Sequence, residues 1–177
     1  MTIRKANGFA LIDLIFTMGI IGVLSSIALP RLLLARQAAG AASAIGSMRA
    51  INSAQLTFAL TCGGGFYAPS LTRLGTLPIG SRAAFLGPSL TSADTINNAS
   101  YTIQMSATPF PGAPGSCNGL GGGAAGAGFK ASADPQDANN NFRYFATNAN
   151  AMIFEDVTTL TASMPEVGSP PTGHVLK

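Results

Sequence analysis

The sequence predicts an α+β protein: one long N-terminal helix carrying a small head of antiparallel strands. Three observations predict it. Residues 9–29 form a 21-residue apolar block holding one charge. From Arg31 to about Leu60, apolar residues return every three or four positions. Beyond the glycine run at 63–65, short stretches alternate apolar and polar residues among turn signals.

The apolar block, FALIDLIFTMGIIGVLSSIAL, would reach about 32 Å as a helix, enough to cross the hydrocarbon core of a bilayer. Arg4 and Lys5 precede it, so the positive-inside rule keeps the short N-terminus cytoplasmic. A cleaved secretory signal shares the basic start. The run is longer than a typical signal core, however, has no A-x-A site directly after it and contains an acid. That acid, Asp13, would cost roughly 2.5–3.5 kcal/mol at bilayer depth. Either it lies close enough to the interface to stay wet, or it awaits a cation from another subunit. At about 4 Å and an effective dielectric near 20, such a pair gains on the order of 4 kcal/mol before desolvation.

The stretch Gly8-Phe9-Ala10-Leu11-Ile12-Asp13, with its apolar continuation to Pro30, resembles the N-terminal signal of type IV prepilins and type II secretion pseudopilins. The resemblance implies a leader at residues 1–8, cut between Gly8 and Phe9 by a membrane aspartyl prepilin peptidase, with Phe9 becoming the N-methylated first residue. It also implies that Asp13 stands at the fifth mature position, where the family nearly always has Glu. Asp keeps the charge and shortens its reach by one methylene. Pro30 corresponds to the family's helix-kinking proline. The implied layout is a filament-core helix at 9–30, an amphipathic continuation at 31–61 and a Gly-rich loop and sheet head at 62–177.

Local chemistry agrees. Gly8 lets a peptidase approach the backbone closely. Gly19, Gly22, Ser25, Ser26 and Ala28 offer small surfaces for close helix packing. Pro30 removes one backbone donor and crowds the preceding turn, predicting a bend or local melting.

In the second half, Ala41, Ile45, Met48, Ile51, Ala54 and Phe58 mark the buried stripe, with Arg36, Arg49, Asn52 and Gln55 between them. The glycines after Cys62 end the helix. Residues 63–99 read as a loop-rich connection that allows a short helix over Ser81–Leu86. Tyr101, Ile103 and Met105 alternate as a half-buried strand requires. Phe142–Phe145 and Met152–Phe154 flank Asn148-Ala149-Asn150 as a hairpin, and a weaker strand covers Gly128–Ala133. The tail from about Thr158 reads as irregular.

Cys62 and Cys117 are the only cysteines. In an oxidising compartment they can pair, closing a loop worth roughly 4 kcal/mol; in a reducing one they stay free. Two Cys and the single His174 do not meet the four-ligand need of zinc. Asp134, Asp137, Glu155 and Asp156 match no defined calcium loop. Gly121–Gly126 formally fits G-x-G-x-x-G, but neither a strand before it nor a helix after it is predicted, so a flexible surface loop is expected there. No cofactor or metal is implied.

The formal charge is +3, and Arg4 and Lys5 supply two of the ten basic residues, leaving eight against seven acids. No basic stripe with interleaved aromatics suggests nucleic acid. With 10% charged residues and no titratable pair at informative spacing, the chain reads as non-enzymatic. The resemblance implies a structural subunit of a pilus or secretion pseudopilus. It would cross the bacterial inner membrane once before its assembly machinery draws it into an extracytoplasmic helical homo-oligomer. The alternative is a minor pilin acting as a binding module for DNA, a surface or secreted cargo.

Overall fold

The computed structural model describes residues 11–139 and 141–176. Its first element, α1, runs Leu11–Thr61. Two compact units divide the chain within this helix, the first ending at Ala38 and the second beginning at Ala39.

The second unit is the head. Here α1 buries Ala41, Ala44, Met48, Ile51, Gln55 and Phe58, spaced three and four residues apart, which keeps them on one side of a helix. After a disulfide at the helix end come α2 (Leu71–Leu74) and a 3₁₀ turn at Pro88–Leu90. Six strands follow: β1 (Thr95–Asn98), β2 (Tyr101–Ser106), β3 (Lys130–Pro135), β4 (Tyr144–Asn148), β5 (Ile153–Asp156) and β6 (His174–Val175). They form one antiparallel sheet in chain order.

Register places the core. Ile103 lies between Ile96 and Ala133, and Ala133 pairs onward with Phe145. All four are buried and join the α1 residues in one cluster. Because side chains alternate across a strand, the other face carries Ala146 and Phe154, which Leu160 and Met164 cover. Tyr101 and Phe145 pack with ring centres 5.8 Å apart, and the Tyr101 hydroxyl donates to the Arg143 carbonyl at 3.1 Å.

Small residues bring the sheet close to the helix. A Cβ on Gly40 would lie 2.9 Å from the Ala99 carbonyl oxygen, so the β1–β2 turn can dock there only against glycine. That turn is a two-residue connection, Ala99 and Ser100, with φ of 47° and 72°. Both sit in the left-handed region that non-glycine residues adopt at a cost.

The β2 alternation lies where the sequence predicts it, the expected β4–β5 hairpin forms with β4 starting two residues later and taking in Asn148 from the expected turn, and β3 begins two residues after the predicted start. Four features differ. No helix forms over Ser81–Leu86; α2 and the 3₁₀ turn flank that stretch instead. Strand β1 arises inside the expected loop. It is an edge strand with one buried side chain, Ile96, so it carries no apolar alternation. Strand β6 crosses the expected irregular tail by adding two residues to β5. Finally, α1 passes through Pro30 as uninterrupted helix, so the backbone does not melt there.

Candidate assembly surface

The described part of the first unit is helix alone, and it is exposed almost everywhere. Leu11, Ile12, Ile15, Phe16, Met18, Ile21, Val23, Leu24, Ile27 and Leu29 are each more than three-fifths exposed. The most apolar eighteen-residue window of α1 has a mean hydropathy of 2.1 and no buried residue, and the helix is long and apolar enough to cross a membrane. Two of its hydroxyls are satisfied locally. The Thr17 hydroxyl donates to the Leu14 carbonyl at 2.9 Å, and Ser26 donates to Val23 at 2.7 Å. A Cβ added at Gly19 or Gly22 would meet no heavy atom within 4 Å, so the space beside both is open. A shallow groove crosses Gly19 between Ile15, Phe16, Ile20, Val23 and Leu24.

Asp13 occupies the first turn of α1 and is exposed. Pro30 lies inside the same helix. Gly8 and Phe9, the expected cleavage residues, lie outside the described residues.

At the far end of α1, Cys62 is disulfide-bonded to Cys117, 55 positions later. The bond fastens the helix end to the Gly-rich segment, where the Cys117 amide also donates to the Cys62 carbonyl at 3.3 Å. That segment packs tightly. Gly126 exchanges two backbone hydrogen bonds with Tyr67, each 2.9 Å, while Ala125 and Phe129 are buried. A Cβ on Gly126 would come within 2.7 Å of Ala107 and of the Gly128 carbonyl. The expectation of a loose surface loop is therefore corrected: these glycines permit backbone to lie against backbone. No helix follows Gly126, so the dinucleotide geometry is missing as well.

Gln55 was placed by the sequence among the polar positions of α1, yet it is fully buried. Its amide nitrogen donates to the Ala68 carbonyl at 2.8 Å and its amide oxygen accepts from the Ala68 N–H at 2.9 Å. The side chain thus imitates a strand neighbour. No sequence signal marks this role.

Several acids of the head have structural partners. Asp134 accepts from the hydroxyls of Thr159 and Thr161, and Glu166 accepts from the Thr108 amide and hydroxyl. Glu155 takes a two-point contact from Arg143, whose hydrogen bond holds the Glu155 carboxyl below the usual glutamate range. His174 sits across from Glu155 on β6, away from any serine in that pairing. Among the described residues, no three His, Cys, Asp or Glu side chains gather to hold a metal. A cleft of about 240 Å³ lies between β2, β3 and the Thr161–Met164 turn. Lys130 there donates to the Thr161 carbonyl at 3.2 Å, tying the turn to the sheet. Comparison with protein-family models, with curated proteins and with solved structures found no match.

Proposed function

We propose that this chain is the precursor of a filament subunit of the type IV pilin or type II secretion pseudopilin kind. In this reading it is held in a membrane by the first part of α1 and polymerised through that same segment. One observation carries the proposal: a solvent-stripped role is the only comfortable one for a helical segment that, from Leu11 to Leu34, is apolar on all sides, exposed almost throughout and interrupted by a single acid, Asp13. Such a helix suits lipid before assembly and other helices after it. Moving from lipid to a helix bundle gains little from escaping water, so packing against small positions such as Gly19 and Gly22 supplies the attraction.

A disulfide-fastened α+β head fits an extracytoplasmic position, where oxidising conditions keep such bonds. The side chains that could have served chemistry are spent on structure, which favours a building block over a catalyst. Prepilin peptidase and the inner-membrane assembly machinery are the partners this reading requires.

Intact-mass and N-terminal analysis of the protein from a strain carrying a prepilin peptidase tests it. Loss of residues 1–8 with a methyl group on Phe9 is the expected result, and Gly8→Leu leaves the full-length chain in the membrane. A protein that keeps its first eight residues and purifies as a soluble monomer would refute the proposal.

A further inference from the structure

Asp13 and Arg31 are eighteen residues apart, which is five turns of helix, so both lie on one face of α1. Between them on that face come Thr17, Ile20, Leu24 and Ile27, at steps of four and three residues. This is the spacing of a packing seam between helices. All six are exposed, and Asp13 is the only acid in the helix. The seam is therefore apolar in the middle, with an acid at one end and a guanidinium at the other, and no described residue of the first unit covers it.

Its length is informative. Eighteen residues rise about 27 Å, close to the roughly 30 Å hydrocarbon thickness of a bilayer. In a membrane each charge sits near one interface and stays wet, which removes most of the penalty a central charge would carry. Copies embedded at equal depth meet in register, guanidinium beside guanidinium, and repel at that end. A copy displaced along the axis by about 27 Å instead sets its Asp13 against its neighbour's Arg31. The same displacement brings its Thr17 and Ile20 to the level of Ala35 and Ala38, two small exposed residues continuing the seam.

We infer that the occupant of this face is a second copy of the chain, shifted by eighteen residues and joined by an Asp13–Arg31 ion pair. The inference rests on the filament reading and deepens it. The pair assigns Asp13 its cation, fixes one axial offset of the assembly, and forms only once a copy leaves the depth of its neighbours. Charge thereby discourages lateral association in the membrane and favours it in the filament. A guanidinium presents a planar fork that holds a carboxylate at two points, suiting a contact that sets register.

The test uses the full chain expressed with its assembly machinery. Asp13→Arg and Arg31→Asp each place like charges together at every repeat, so each should cut sedimentable filament yield by about tenfold or more. The double exchange should restore it. Membrane insertion and leader removal are followed in parallel, and neither change weakens the positive-inside bias. Independently, Thr17→Cys combined with Ala35→Cys should give a ladder of covalent multimers when intact filaments meet a short bis-maleimide. Thr17→Cys alone should give none in filaments. Native Cys62 and Cys117 are linked to each other and do not interfere. If Arg31→Asp assembles at the parental yield, or filaments give no ladder, the ion pair is wrong while the filament reading stands. If the parental chain forms no filaments, the filament reading fails and the inference with it.

Discussion

Replacing Gln55 with leucine measures how much of the head's stability depends on one buried amide. The Gln55 side chain is fully buried and satisfies both the N–H and the C=O of Ala68, itself fully buried. Leucine of similar size leaves both backbone groups without a partner, at about 1–3 kcal/mol each. Its added apolar contact returns about 1 kcal/mol. The net loss is then roughly 3 kcal/mol, the middle of the range these terms leave. At about 2–4 °C per kcal/mol for a chain this size, the melting midpoint should fall by about 6–12 °C. The assay is near-equilibrium urea and thermal unfolding of the full chain in mild detergent, followed by circular dichroism of the sheet. Gln55→Glu sharpens the experiment. A protonated carboxyl can still donate to Ala68 and accept from it, whereas the ionised form cannot donate and is buried as a charge. Relative to wild type at the same pH, Gln55→Glu should therefore lose less stability at pH 4 than at pH 7. A loss below about 0.5 kcal/mol for Gln55→Leu would place the substitution among ordinary surface changes and refute the bridging role.

Two further predictions concern the head. Cys117→Ser should lower unfolding free energy by about 4 kcal/mol, because the Cys62–Cys117 link closes a loop spanning 55 positions, and reduction of the wild type should reproduce the loss. The Glu155 carboxyl is held below its ordinary range by its hydrogen bond from Arg143, so its stabilisation is complete above the unfolded value and disappears as pH falls through the lower folded one. Glu155→Gln should cost no more than about 1 kcal/mol at pH 7, since the pair is partly exposed, and should flatten the acid limb of a stability profile below about pH 4.3.

What the sequence disclosed follows from periodicity, and what it hid follows from contacts between distant segments. The α1 stripe is legible because Met48, Ile51 and Phe58 recur at helical spacing, and β2 is legible because Tyr101, Ile103 and Met105 recur at strand spacing. Gln55 breaks the first pattern. Its burial depends on Ala68, thirteen residues away in an irregular segment, and a local window cannot see that partner. Strand β1 fails for a related reason: an edge strand with one buried side chain presents no alternation to read. The Gly121–Gly126 run misleads in the opposite direction. Glycine allows both a free loop and the tightest backbone contact, and the choice here is made by Tyr67, which bonds to Gly126 from the other side of the disulfide. On the assembly surface, Asp13 is conspicuous as the one acid in an apolar block. Its relation to Arg31 becomes readable only when α1 continues as helix through Pro30, since melting there would have broken the common face.

Folding and assembly draw on separate residues, and this makes the surface experiments interpretable. Every buried hydrophobic residue described lies at Ala41 or later, while the seam from Asp13 to Arg31 contributes nothing to that core. Changing a charge at either seam end therefore removes no core contact, and the head should unfold at the parental midpoint. Effects of sites with no shared partner add independently. An Asp13 or Arg31 variant that loses filaments while keeping its disulfide and its melting midpoint has lost an intermolecular contact. One that melts early has lost something else, and its missing filaments carry no weight about pairing. In the filament reading, the same separation lets one chain suit two environments. The head satisfies most of its buried polar groups internally, Asp134 Oδ1 and Asp156 Oδ2 excepted, and the helix keeps Asp13 and Arg31 far enough apart that only a displaced neighbour can bring them together.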